Sequence, residues 1–164
     1  MPNTVPPVTT VEVLEAKRRL VKSKNVSCRI IPLLGMAPGA MEQLKKLDLA
    51  GVPAVKLFLG TTTGAMSAPP GDELEDIFRF LADQNIPVIV HAEDNDVIGR
   101  NMEAALARWG SAEAIPVAEH CRIRSHEACL RSAARAVELA TRFGTQLHLA
   151  HVSTAAEVRE LLCD

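Results

Sequence analysis

Short aliphatic runs alternate along this chain with longer segments in which apolar residues recur at helical spacing. Such alternation is typical of βα units that build a parallel sheet. The aliphatic runs predict strands over residues 28–34, 53–59, 86–91 and 146–151. The periodic segments predict helices over residues 11–24, 40–49, 72–84, 94–109, 124–143 and 154–162. The run at 86–91 is almost entirely apolar, which indicates a strand covered on both faces of the sheet.

Capping residues mark several of the predicted helix ends. The N-cap candidates are Thr9 or Thr10, Asp72, and Ser153 or Thr154. Gly144 follows the longest helix in the position that is typical of a C-cap.

Composition restricts the class of protein further. The chain has 164 residues, of which 48% are apolar and 23% charged, as in an ordinary soluble domain with a hydrophobic core. No repeat or linker divides the sequence, so we expect a single domain over residues 1–164. Aromatic residues make up 3% and the net charge is −2, which disfavours nucleic acid and anionic membranes as partners. A small neutral or anionic metabolite is the expected partner.

The sequence also predicts a compartment and a redox state. No apolar run approaches the ~18 residues of a membrane span, and the first residues do not resemble a secretory signal. We therefore expect a cytoplasmic protein. The cysteines lie far apart without a pairing motif, so we expect reduced thiols at Cys28, Cys121, Cys129 and Cys163.

A lysine stands in the middle of the second predicted strand. Lys56 lies between Val55 and Leu57, where a buried ammonium would be costly unless it were neutralised or paired. A buried lysine with a lowered pKa can act as a base, form a Schiff base, or react with carbon dioxide to give a carbamate. The alternative is a strand-end lysine whose ammonium reaches water.

Histidines stand near the ends of the third and fourth predicted strands. His91 ends the third strand, at the edge where α/β folds collect functional groups. His148 and His151 are three residues apart, so on a continuous strand they point to opposite faces. His151 occupies the same relative place as His91, and we therefore expect His151 to be functional and His148 structural. A core histidine bonded to backbone is the alternative for His91.

These side chains would meet at one mouth if the sheet curled into a barrel. The convergence of a lysine and two histidines from three strands is then better explained by a shared metal site than by three unrelated occurrences. Neutral imidazoles suit Zn²⁺, and a lysine carbamate is an anion that can bridge two metal ions. Two histidines and one bridging anion are too few ligands to close two metal sites.

Other catalytic motifs receive little support. The loop Gly60–Gly64 resembles a phosphate cradle, but the lysine of a P-loop is missing after its second glycine. No nucleophile elbow is present. Glu119, His120, Cys121 and His126 are expected to be solvated surface groups.

Four segments together resemble a known family. They are residues 1–7 (MPNTVPP), 55–66 (VKLFLGTTTGAM), 90–94 (VHAED) and 148–154 (HLAHVST). In this order they resemble dihydroorotases, which belong to the cyclic amidohydrolase superfamily of metal-dependent (β/α)₈ TIM barrels, although each motif alone is shared with allantoinases and dihydropyrimidinases. The resemblance covers essentially the whole chain. It implies an α/β fold that is part of such a barrel, roughly strands 3 to 6 with their helices.

The resemblance also implies roles for particular residues. Lys56 would be N-carboxylated and bridge two zinc ions, and His91 and His151 would ligate the second ion. Asn3 would hydrogen-bond the substrate carboxylate. The implied reaction is reversible hydrolysis of the ring amide of dihydroorotate to N-carbamoyl-L-aspartate, a step of pyrimidine biosynthesis.

Two motifs of the family have no counterpart in this sequence. These are the His-x-His motif of the first barrel strand, usually followed by an arginine that holds the substrate carboxylate, and the general-base aspartate of the last strand, for which Asp164 is not a substitute. The chain is also short beside the ~250 residues of a typical barrel. We therefore expect an incomplete barrel with no catalytic residue retained, inactive by itself and prone to aggregate or form homo-oligomers through unpaired strand edges.

Two other functions stay open at this point. The chain could belong to a cyclic amidase that acts on allantoin or a hydantoin. It could also be a non-catalytic homologue with a structural or regulatory role.

Overall fold

Parallel strands alternate with helices in the computed structural model, which describes residues 2–24, 26–60 and 67–161. The strands in these ranges are β1 (Gly35–Met36), β2 (Val55–Phe58), β3 (Val88–His91) and β4 (Leu147–Ala150). The α-helices are α1 (Val11–Ser23), α2 (Ala40–Lys46), α3 (Gly71–Asp83), α4 (Asn95–Trp109), α5 (His120–Ile123), α6 (His126–Phe143) and α7 (Ala155–Leu161). The predicted α/β class with a parallel sheet is confirmed.

Some predictions fall on residues outside the described ranges. They concern Met1 of the first family segment, Thr61–Met66 of the loop after β2, Leu162 at the end of the last helix, Cys163 and Asp164.

The sheet places successive strands side by side. Its order is β1-β2-β3-β4, and every neighbouring pair is parallel. Phe58 at the end of β2 lies opposite His91, and His91 lies opposite Ala150. The carboxyl ends of β2, β3 and β4 therefore meet at one edge of the sheet.

Helices cover the sheet and form the core. The fully buried side chains include Leu14, Leu44, Leu57, Ile77, Phe78 and Val88. All residues of β2 are buried, whereas in β3 the buried Val88 and Val90 alternate with half-buried Ile89 and His91. The prediction of a strand covered on both faces is therefore wrong for β3, because the face that carries His91 is only partly covered by the described residues.

The first predicted strand lies too early in the sequence. Residues 28–33 form no strand, and β1 contains only Gly35–Met36. The register pairs Gly35 with Lys56, so residues 28–33 would need partners at or before Ala54, and β2 begins at Val55. Without a ladder partner the aliphatic run stays irregular, and its Ile30 side chain is exposed.

The caps of the helices agree with the prediction at most ends. Thr10 caps α1 by accepting a hydrogen bond from the backbone N–H of Val13, at 3.3 Å. Gly144 ends α6 with a φ of 73°, the left-handed conformation that glycine adopts without strain. The prediction that Asp72 caps α3 is wrong, because the cap is Pro70 and Asp72 lies in the first helical turn.

Two further properties bear on the sequence predictions. None of the helices in the described ranges has the length and apolar character needed to cross a bilayer. β4 is the last strand of the order, so within the described residues one of its edges has no strand partner. The single domain and the homo-oligomer stay predictions.

Candidate metal site

Lys56 is the most deeply buried charged side chain among the described residues. It lies in the middle of β2 with an exposure of only 1%. Its Nζ donates a hydrogen bond to the carbonyl of Leu57 at 3.3 Å and lies 4.4 Å from the centre of the Phe58 ring. Burial lowers the pKa of the Lys56 ammonium to about 8. The alternative in which this ammonium reaches water is therefore wrong, and the amine is poised to be neutral at a mildly basic pH.

His91 stands at the end of β3, beside aromatic rings from both neighbouring elements. The centre of its imidazole lies 5.9 Å from that of Phe58 and 5.5 Å from that of His151. The ring is half-buried, and its Nε2 is 2.9 Å from Oε2 of Glu93. The alternative of a core histidine bonded to backbone is not what the structure shows.

His151 lies just beyond the end of β4. Its φ of 62° is left-handed, so the chain turns there instead of continuing the strand. The prediction that His148 and His151 occupy opposite faces assumed a continuous strand, and β4 ends at Ala150. The turn brings the imidazole of His151 against that of His91.

His148 lies on the edge strand and is exposed, so it is not a buried structural histidine. The register pairs it with Ile89, and strand alternation then places it on the same face of the sheet as Lys56 and His91. The assignment of the functional role to His151 over His148 stays a prediction.

Asn3 is held in the segment that precedes α1. The segment lies beside β1, because the N–H of Gly35 donates to the carbonyl of Val8 at 2.7 Å. Asn3 is half-buried, and no hydrogen bond or ion pair among the described residues joins it to Lys56, His91 or His151. Its role towards substrate stays a prediction.

The side chains of Lys56, His91 and His151 are of types that fit zinc. A neutral lysine amine can form a carbamate, and carbamate oxygens and imidazole nitrogens are ligands that zinc accepts. Within the described ranges, no group of three or more His, Cys, Asp and Glu side chains is arranged to hold a metal ion. The role of Lys56, His91 and His151 as metal ligands stays a prediction.

Sequence reasoning missed the surroundings of Glu93. Its side chain is 11% exposed and forms an ion pair with Arg124, which lies between α5 and α6. The sequence does contain one signal for a contact with His91, because a carboxylate stands two residues after this strand-end histidine. The pairing with an arginine 31 residues further on required the fold.

Gly60 connects the end of β2 to the same cluster. A Cβ on this residue would lie 2.4 Å from the backbone oxygen of Glu93, far inside van der Waals contact. The segments after β2 and β3 therefore touch through their backbones, and only glycine fits at this contact.

We expect Gly60→Ala to destabilise the chain by about 1–3 kcal/mol, the cost typical of forced overpacking. The matched control is Gly99→Ala, since Gly99 lies in α4 with open space around its Cβ position and should gain about 0.5–1 kcal/mol from helix propensity. Urea unfolding of both variants measures the difference. Equal stability of the two variants would show that the contact with Glu93 relaxes freely.

The remaining candidate groups lie mostly at the surface. His120, Cys121 and His126 are exposed, as expected. Glu119 is instead half-buried and pairs with Arg122 at 2.8 Å.

The described cysteines Cys28, Cys121 and Cys129 are free thiols, and burial raises the pKa of the Cys129 thiol. This agrees with the expected reduced state at these three positions.

Comparison with known proteins places these features in a class. No protein-family model matches the chain. The L-hydantoinase from Arthrobacter aurescens superposes with a TM-score of 0.86 at 24% identity, over 98% of this chain and 35% of that one. The fold is thus a partial TIM barrel of the kind that amidohydrolases have.

Comparison with curated sequences identifies the kind of enzyme to which the chain is related. The chain is 32% identical over 158 residues to an allantoinase from Deinococcus radiodurans, and 29% identical over 159 residues to a dihydroorotase from Methanosarcina mazei. These matches cover 95% and 96% of this chain but only 34% and 33% of the relatives. The homologues of this chain are therefore members of the cyclic amidohydrolase superfamily, and the chain spans about a third of their length.

Proposed function

We propose that this chain supplies part of the binuclear zinc centre of a cyclic amidohydrolase that opens the ring amide of dihydroorotate reversibly to N-carbamoyl-L-aspartate. The observation that carries the proposal is the placement of Lys56, His91 and His151. Lys56 is buried and its pKa is lowered. The ring centres of His91 and His151 lie 5.5 Å apart at one edge of the sheet. The dihydroorotase among the relatives supports the choice of substrate.

Each of these residues has a distinct task in the proposal. The neutral amine of Lys56 attacks the carbon of carbon dioxide and loses a proton, which leaves a carbamate anion. That anion and the imidazoles of His91 and His151 would hold the metal. When bound, zinc supplies Lewis-acid polarisation of an amide carbonyl and activation of water. Asn3 would bind the carboxylate of the substrate.

Turnover requires residues beyond these. The general-base aspartate and the His-x-His motif of the resemblance have no counterpart in this sequence, so we assign the reaction to a polypeptide or assembly that provides them. The present chain alone is expected to be inactive.

A second candidate is an amidase for another ring, and a specific observation favours it. The relative with 32% identity is an allantoinase, and a hydantoinase shares the fold. Allantoin and hydantoins contain the same kind of cyclic amide bond, which the same metal centre could hydrolyse. A non-catalytic role of the homologue is the remaining alternative.

The test is a substrate panel on the longest polypeptide in which this segment is encoded. We expect ring opening of dihydroorotate to exceed that of allantoin and hydantoin, with zinc present in the purified protein. Lys56→Ala should abolish both turnover and metal pairing. Preference for allantoin or hydantoin would select the second candidate, and normal turnover by Lys56→Ala would contradict the assignment of Lys56.

A further inference from the structure

The carboxylate of Glu93 joins a strand-end histidine to an arginine from a distant part of the chain. Oε2 of Glu93 lies 2.9 Å from Nε2 of His91. The same oxygen forms an ion pair with the guanidinium of Arg124. The Glu93 side chain is 11% exposed, so both contacts are made largely out of water. An imidazole and a guanidinium thus share one buried carboxylate oxygen.

This contact determines which nitrogen of His91 carries the proton. A carboxylate accepts hydrogen bonds and does not donate them. Nε2 of His91 must therefore be the protonated nitrogen, because it is the atom that faces Glu93. In a neutral imidazole the lone pair then resides on Nδ1.

The first turn of α6 holds Glu93 in place from one side. Arg124 directly precedes Ser125, whose hydroxyl caps α6 by accepting from the N–H of Ala128. The carbonyl of Ala128 accepts a hydrogen bond from the N–H of Asp94, at 3.0 Å. Arg124 and the residue after Glu93 are thus fixed to the same helical turn.

The end of β2 confines Glu93 from the other side. Gly60 approaches the Glu93 backbone so closely that no Cβ fits between them. The carboxylate is therefore held both through its backbone and through Arg124.

We propose that Glu93, held by Arg124, is a positioning residue that fixes the tautomer and the ring orientation of His91 and leaves Nδ1 as the nitrogen available to a metal. Histidines that ligate a metal commonly donate their other N–H to a carboxylate, which orients the ring. The metal part of this inference rests on the proposed function. The tautomer is a property of the metal-free chain and is independent of it.

The first experiment reads the tautomer directly. The metal-free chain is labelled with ¹⁵N-histidine, and the ring nitrogen shifts of His91 are measured by long-range ¹H–¹⁵N correlation. We expect the Nε2–H form in the wild type, a mixture of tautomers in Glu93→Ala, and retention of Nε2–H in Glu93→Gln, whose amide oxygen still accepts. Glu127→Ala is the matched control, because Glu127 also pairs with an arginine but at the surface.

The second experiment measures zinc binding in bicarbonate buffer. Glu93→Ala should weaken the affinity about 10- to 100-fold, as loss of such a partner typically does. Arg124→Met should weaken it in the same direction and Glu93→Gln less, while circular dichroism confirms that each variant is folded.

An unchanged tautomer in folded Glu93→Ala, or a zinc affinity equal to that of the wild type, would overturn the positioning role. If the wild-type chain alone binds no zinc, the tautomer experiment decides the role of Glu93, and the substrate panel on the longer polypeptide decides the proposed function.

Discussion

Lys56→Met is expected to stabilise the metal-free chain at neutral pH by roughly 3 kcal/mol. The pKa of Lys56 falls from 10.5 to about 8 on burial. At about 1.4 kcal/mol per pKa unit, this shift gives the free energy by which the buried ammonium destabilises the folded chain. Methionine has a similar length and shape without the charge, so it should fill the same space.

The direction in which stability changes with pH follows from the lowered pKa of Lys56. Between pH values of about 8 and 10.5 the unfolded chain binds a proton on Lys56 that the folded chain does not. The stability of the wild type therefore rises with pH across this window, and the full penalty is present below it. Lys56→Met removes the penalty, so its advantage should be largest at neutral pH and vanish above the window.

Urea unfolding in buffer free of metal and carbon dioxide measures this difference over a pH series. Lys45→Met is the matched control, because Lys45 is exposed on α2 and its replacement removes no buried charge. A stability difference between Lys56→Met and the wild type that does not change with pH would contradict the buried ammonium.

His151→Ala is expected to reduce zinc binding by more than the about 10- to 100-fold that loss of an outer-shell partner costs. The proposed ligands are the imidazoles of His91 and His151 at this edge and the buried Lys56 of β2, and a three-ligand set tolerates the loss of one member poorly. Titration of the metal-free chain with zinc, in the presence of bicarbonate, measures the affinity.

His148→Ala is the control from the same segment. His148 is exposed and lies on the same face of the sheet as Lys56. Among the described residues, His151 makes a ring contact with His91 and His148 does not. We expect His148→Ala to keep the affinity of the wild type. A larger loss in His148→Ala than in His151→Ala would reverse the assignment.

The sequence predicts much of this fold because apolar periodicity is a local property. The strand at Val55–Phe58 and the helix at His126–Phe143 lie within the predicted ranges, with Gly144 at its predicted cap. The error at residues 28–34 has a non-local cause, since strand formation there depends on where β2 begins. Side-chain composition at 28–34 carries no information about that partner.

The candidate site shows the same division. Burial of Lys56 and the strand-end position of His91 follow from local pattern, and both are seen. The approach of His151 to His91 depends on a backbone turn that strand alternation does not predict. The ion pair between Glu93 and Arg124 depends on the first turn of α6 lying against the segment after β3, where the N–H of Asp94 donates to the carbonyl of Ala128, so sequence spacing alone could not reveal it.

The left-handed backbone at His151 sets two kinds of selection against each other. A residue with a Cβ pays about 1 kcal/mol or more in this conformation, and glycine or asparagine would occupy it more easily. A substitution that increases stability at position 151 would therefore remove the imidazole that the proposed chemistry needs. Persistence of histidine there in functional descendants, and its early loss in descendants released from function, would record which of the two pressures a lineage has experienced.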